Sequence, residues 1–181
     1  ADDGHALVAW VDQGAKDVFL QRLSPEGRKL GGPLNLSDSP RTFSWLPRLA
    51  VEGERVHVLW QEIIFSGGSH GGDMLYARSA DGGKTFSAPL NLSESVEGDG
   101  KGRISRDYWH NGSFDLAAGP DGAVYAAWTE YEGRLWLRRS LDGGRSFLDR
   151  QHIAGGDTAP ARGPSLAVRG KDLHLAWTDG D

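Results

Sequence analysis

ALVAWVD at 6–12, VHVLWQE at 56–62, VYAAWTE at 124–130 and LHLAWTD at 173–179 are four versions of one phrase. Each is an apolar run that reaches a Trp and soon afterwards an acid. Trp10, Trp60, Trp128 and Trp177 stand 50, 68 and 49 residues apart, which sets a unit of about 50 residues with an enlarged middle interval. Runs this short, rich in Val, Leu and Trp, predict strands rather than helices.

The surrounding sequence repeats in phase. RLAV (48–51), SLAV (165–168) and FDLAAG (114–119) precede their Trp phrases; VFLQRLS, MLYARSA and LWLRRSL follow; PLNLS occurs at 33–37 and again at 89–93. A unit therefore reads as four short strands, A to D, separated by Gly, Asp and Pro turns. Four-stranded antiparallel units recurring at this spacing predict an all-β chain of propeller blades, because radial repetition covers both faces of each small sheet. Residues 5–36 supply strands B, C and D, 45–92 and 112–155 are full blades, and 164–179 supply A and B. The 13 strands are too few for an ordinary closed ring. The single propeller region 1–181 is thus expected to be an incomplete arc, completed by another copy of the chain or by the remainder of a larger propeller.

Composition agrees with a turn-rich globular chain: of 181 residues, 26 are Gly, 8 Pro and 7 Trp, and 38% are hydrophobic. The absence of Cys removes disulfides, thiol catalysis and Cys-ligated zinc. With 20 Lys and Arg against 25 Asp and Glu, the formal charge of −5 offers no general field for nucleic acid. No run has the apolar length of a membrane span. The start, Ala1-Asp2-Asp3-Gly4, reads as a processed N-terminus and gives the expectation of a secreted or periplasmic protein.

Between strands C and D lie SADGGKTF at 79–86 and SLDGGRSF at 140–147. Asp81 and Asp142 can accept hydrogen bonds from their own turns, the glycines permit conformations closed to other residues, and Thr85 or Ser146 can donate locally. Phe86 and Phe147 then place an apolar plug against neighbouring strands. These segments resemble the Asp-box, or BNR, repeats of the sialidase superfamily, S-x-D-x-G-x-T-[FW]. Ser79, Asp81, Gly83, Thr85 and Phe86 fit that pattern fully; Ser140, Asp142, Gly144, Ser146 and Phe147 differ by Ser for Thr. SPEGRKL at 24–30 is similar to a decayed copy. The resemblance implies sialidase-like propeller blades, with Asp81 and Asp142 as scaffold rather than catalysts. It also implies a functional range from exo-sialidases and other glycan hydrolases to noncatalytic lectin-like or protein-binding propellers and assembly factors.

Strand order fixes the faces. In an antiparallel A–D sheet the A–B and C–D turns share one face, here the bottom, while B–C turns and D–A crossings share the top. The long segments fall on top: 67–72, and SESVEGDGKGRISRDYWHNG at 93–112. Arg103, Arg106, Tyr108, Trp109 and His110 in this crossing, with Trp45, Arg48 and Arg162 at or near A strands, form the candidate ligand-binding set, suited to stacking a sugar ring, pairing with a carboxylate or docking a protein. Arg41, Glu130, Tyr131 and Glu132 lie on the same face. By resemblance, sialidase chemistry requires arginines for a substrate carboxylate, a Glu-activated Tyr nucleophile and an acidic Asp; Arg48, Arg106 and Arg162, Tyr131 with Glu130, and Asp107 are the candidates. The family's R-I-P-like signature is missing.

His57 and His174 occupy matching repeat positions and read as packing residues; His70 and His110 lack metal spacing. No metal site or cofactor is expected, and the acidic loop has no calcium-loop pattern to support a calcium ion. The leading expectation is noncatalytic recognition of a glycan or protein on the top face. The alternatives are glycoside hydrolysis of the exo-sialidase type and a structural or assembly role for the arc.

Overall fold

The computed structural model describes residues 4–40, 42–66, 69–94, 113–130, 133–156 and 158–180, without the side chains of 64–71. Among the described residues the chain forms four successive antiparallel sheets that do not close into a ring. The first sheet has β1 (Ala6–Asp12), β2 (Asp17–Leu23) and β3 (Leu34–Asn35). The second has β4 (Phe43–Glu52), β5 (Arg55–Ser66), β6 (Ser69–Ser79) and β7 (Leu90–Asn91). The third has β8 (Phe114–Ala118), β9 (Val124–Thr129), β10 (Leu135–Ser140) and β11 (Gln151–Ala154). The fourth has β12 (Ala161–Arg169) and β13 (Asp172–Asp179). Strands are adjacent in chain order in every sheet, the arrangement of an incomplete propeller.

The repeated phrases keep equivalent places. Trp10 lies opposite Phe19, Trp60 opposite Leu75 and Trp128 opposite Trp136. Phe19, Leu75 and Trp136 are therefore equivalent, and so are Leu20, Tyr76 and Leu137, one residue further on. Both PLNLS segments work alike: Ser37 Oγ accepts the Val18 N–H at 3.1 Å, and Ser93 Oγ accepts the Met74 N–H at 3.1 Å. A serine hydroxyl thus satisfies an N–H of the adjacent strand just beyond the point where the short β3 and β7 run out.

Three apolar layers lie between the sheets. Val18, Leu20, Leu36, Val56, Val58, Trp60 and Ala77 join the first sheet to the second. Leu59, Met74, Tyr76, Leu92, Phe114, Leu116, Val124, Ala126 and Trp128 join the second to the third. Ala127, Leu135, Leu137 and Ala161 begin the layer toward the fourth, where Leu166, Leu173 and Leu175 pack on them. Both faces of the two middle sheets are covered, so alternate residues of β5 and of β9 all enter a core, which explains why their Trp phrases are nearly unbroken apolar runs.

The two turns after β6 and β10 share one pattern of hydrogen bonds, with one more at Asp81. Asp81 accepts the Thr85 hydroxyl at 2.6 Å, the Thr85 N–H at 3.0 Å, the Lys84 N–H at 2.9 Å and the Ser79 hydroxyl at 2.7 Å. Asp142 accepts the Ser146 hydroxyl at 2.6 Å, the Ser146 N–H at 3.0 Å and the Ser140 hydroxyl at 2.7 Å. Burial pushes the Asp81 carboxyl up, but its hydrogen bonds outweigh that and hold it well below the usual value; for Asp142 the Ser146 hydroxyl is the largest cause of the same lowering. The segment at 24–30 retains part of the pattern: Ser24 donates to Glu26 at 2.7 Å and accepts the Glu26 and Arg28 N–H groups at 3.3 Å.

Candidate functional site on the top face

Strands β4, β8 and β12 pack side by side, and their first residues reach the top face. In β4 the register jumps between Trp45 and Arg48, so Leu46 and Pro47 together oppose the single residue Trp60. In β12 it jumps between Arg162 and Ser165, so Gly163 and Pro164 together oppose Trp177. These are equivalent bulges. Each accommodates a Pro that has no N–H to give a ladder, and each re-aims the residue before it. Leu46 adopts φ +50 and Gly163 φ +60, so the same left-handed turn of the backbone is made once by a strained Leu and once by the residue suited to it. Trp45 and Arg162 thereby stand at equivalent positions, both half-buried. The third sheet has no such bulge: Phe114 pairs with Trp128 in regular register. Sequence reading missed the bulges, although the signal was present in the parallel between SWLPRLAV (44–51) and ARGPSLAV (161–168).

Polar groups of β8 complete the β12 bulge. Ser113 Oγ accepts the Gly163 N–H at 2.7 Å and the Asp115 carboxylate accepts the Leu166 N–H at 2.7 Å. Arg48 is exposed and its guanidinium lies 5.6 Å from the Phe114 ring centroid, joining the tops of β4 and β8.

Three carboxylates of this face, Glu62, Asp17 and Glu130, are tied down. Glu62, which sequence reading did not single out, is only 4% exposed. It accepts the Ser44 hydroxyl at 2.7 Å and the Trp60 indole N–H at 3.1 Å, and the Thr42 hydroxyl donates to its other oxygen. Ser44 Oγ is 3.1 Å from Ser39 Oγ, which donates to Asp17 at 3.1 Å. Asp17 also accepts from Asn35 at 2.7 Å and Ser37 at 2.9 Å. Burial raises the Asp17 carboxyl, and these hydrogen bonds more than reverse that, leaving it lowered. Glu130 is held by Arg150 at 3.3 Å; Arg150 also donates to the Ser93 carbonyl at 3.1 Å and lies over the Trp136 ring at 4.6 Å. Arg138 grips the same chain exit, donating to the Leu92 carbonyl at 2.9 Å and pairing with Glu94 at 3.0 Å. Two arginines of the third sheet therefore anchor the start of the long crossing.

Of the candidate residues, Trp45, Arg48, Glu130 and Arg162 are placed by the structure, on three neighbouring sheets. Arg41, Arg103, Arg106, Asp107, Tyr108, Trp109, His110, Tyr131 and Glu132 lie outside the described residues. No group of three or more His, Asp or Glu able to hold a metal ion occurs among the described residues. His57 is buried in the second sheet and shares a 2.6 Å hydrogen bond with the Tyr76 hydroxyl, a packing role, whereas His174 is exposed because no third strand lies beside β13 among the described residues.

No protein-family model and no curated protein matches the sequence. Solved structures do match the fold. The sialidase of Trypanosoma rangeli in complex with 2,3-difluorosialic acid superposes with a TM-score of 0.54 at 12% identity, over 96% of this chain and 32% of the other. A mutant of the Bombyx mori GH32 β-fructofuranosidase in complex with sucrose superposes with a TM-score of 0.50 at 15% identity, over 96% of this chain and 38% of the other. The chain thus spans about a third of the length of these structures. At such identity the likeness defines the fold alone: this is a propeller-like chain of the architecture found in glycosidases. No helix among the described residues is long and apolar enough to cross a membrane.

Proposed function

We propose that the chain is the recognition part of a sialidase-like, Asp-box propeller that binds a glycan on its top face without hydrolysing it, outside the cytoplasm. The observation that carries this reading is the pair of equivalent bulges that hold Trp45 and Arg162 on the two A strands flanking β8. A half-buried indole offers a sugar ring an apolar platform, and a guanidinium offers hydroxyls or a carboxylate a planar set of donors. Among the described residues, the engagement of Glu62 and Glu130 supports binding over hydrolysis. Glycoside hydrolysis needs two carboxyl groups, or a carboxyl and an activated Tyr, converging on one bond. Glu62 is enclosed among three donors and Glu130 is engaged by Arg150. The candidates of the long crossing, Arg103, Arg106, Tyr108, Trp109 and His110, extend the same face in this reading. Its boundaries are a partial blade at 5–36, full blades at 45–92 and 112–155, and a partial blade at 164–179, completed by a larger propeller or by self-association.

Binding to an array of sialylated and neutral glycans tests the reading. Trp45→Ala and Arg162→Ala should each weaken the best ligand at least about tenfold, the loss of one central contact, with the thermal melt retained. Unchanged binding in both variants rejects the top face. Turnover of a chromogenic sialoside by the native chain, abolished in Tyr131→Phe, would establish the hydrolase reading instead.

A further inference from the structure

A cavity opens on the bottom face, at the cleft between the first two sheets. It goes beyond the top-face reading and does not depend on it. The equivalent cleft between the second and third sheets is filled by Tyr76: its ring meets Phe147 edge-on at 5.0 Å, its hydroxyl reaches His57, and it abuts Gly144 of the aspartate turn. In the first cleft Leu20 replaces Tyr76 and Leu7 replaces His57, while Gly83 takes the place of Gly144. The shorter side chain leaves a cavity of about 250 Å³.

The cavity has a distinct chemistry. Leu20, Leu30 and Leu34 give it apolar walls, and Gly31, Gly32 and Gly83 keep its rim free of side chains. Arg22 and Lys84 line it from opposite sheets, and no acid lines it. Among the described residues Arg22 Nε is buried without a hydrogen-bond partner, a donor whose desolvation the protein does not offset. The rim is held in place: Gln21, buried, donates to the Arg22 carbonyl at 2.8 Å and to the Gly31 carbonyl at 3.3 Å. An apolar cavity of roughly 150 Å³ is enough for benzene. The larger volume here suits one ring with a short arm, and two cations in a chain of net charge −5 give that arm an acidic end.

We propose that this cleft binds a small aromatic monocarboxylate, its ring among Leu20, Leu30 and Leu34 and its carboxylate between Arg22 and Lys84. The probe is phenylacetate, with 2-phenylethanol as the neutral control, titrated into the labelled 181-residue chain while amide resonances are followed by NMR. Phenylacetate should shift the Gly31, Gly32 and Gly83 amides saturably, and the alcohol should bind at least about tenfold more weakly. Lys84→Glu, an exposed change, should weaken phenylacetate by a similar factor. Leu20→Tyr, which installs the residue found in the neighbouring repeat, should abolish binding. If Leu20→Tyr fails to fold, the alcohol and Lys84→Glu still decide. Absence of saturable shifts at these glycines, equal affinity for acid and alcohol, or indifference to Lys84→Glu each overturns the assignment.

Discussion

His57 shows how one buried residue links packing to pH. Burial first, then the nearby charges of Arg55 and Arg78, lowers its pKa from 6.5 to about 4, so it is neutral in the fold. Burial likewise pushes the Tyr76 hydroxyl up, and the two stay paired as neutral groups. The unfolded chain binds the His57 proton at higher pH than the folded chain does. Its contribution is therefore complete above about pH 6.5 and is lost as pH falls toward 4, a change of about 3 kcal/mol. Urea melts between pH 7.5 and 4.5 should show that slope. The double variant His57→Leu/Tyr76→Phe, which places in the second sheet the Leu found at residue 7 in the first, should flatten it.

At the scale of elements, the aspartate turns and the bulges use glycine for different reasons. Gly144 has φ +77 and its hydrogen faces the Tyr76 hydroxyl, so a Cβ there meets both backbone strain and a collision with a buried side chain. Gly163 has φ +60 but open space around it, so only the backbone objects. Gly163→Ala should cost about 1 kcal/mol and Gly144→Ala at least about 3 kcal/mol, as read from chemical denaturation, because overpacking adds to the left-handed penalty only in the second case. Similar costs for both would show that the turn after β10 yields to Tyr76. Asp81 and Asp142 belong to the same element: each holds a hairpin tip whose Phe packs against an intersheet core.

For the whole molecule, the incomplete arc is expressed most clearly by its repeated tryptophans. Trp60 and Trp128 are 0% and 2% exposed, while Trp177 is 40% exposed. All three stand at equivalent positions of their strands, but β5 and β9 have neighbours on both edges and, among the described residues, β13 pairs only with β12. Trp60→Ala and Trp128→Ala should each cost about 3–5 kcal/mol, and Trp177→Ala under about 1.5 kcal/mol in the isolated chain. A Trp177 loss as large as that at Trp60, with a melting temperature that rises with protein concentration, would show the β13 edge covered by another copy.

The sequence alone determined the all-β architecture, the strands and their order, the two faces and the aspartate turns, because each rests on local chemistry repeated in register: short apolar runs, the PLNLS phrase, and a Ser-x-Asp-Gly-Gly turn whose bonds close within eight residues. It singled out Trp45, Arg48, Glu130 and Arg162 by residue type and strand end alone. Only the tertiary structure decided that Pro47 and Pro164 make equivalent bulges, that Glu62 is enclosed, and that Leu20 leaves open the cleft Tyr76 fills. Those features depend on what a neighbouring strand or sheet presents at one position, and a spacing along one chain carries no record of the partner across the gap.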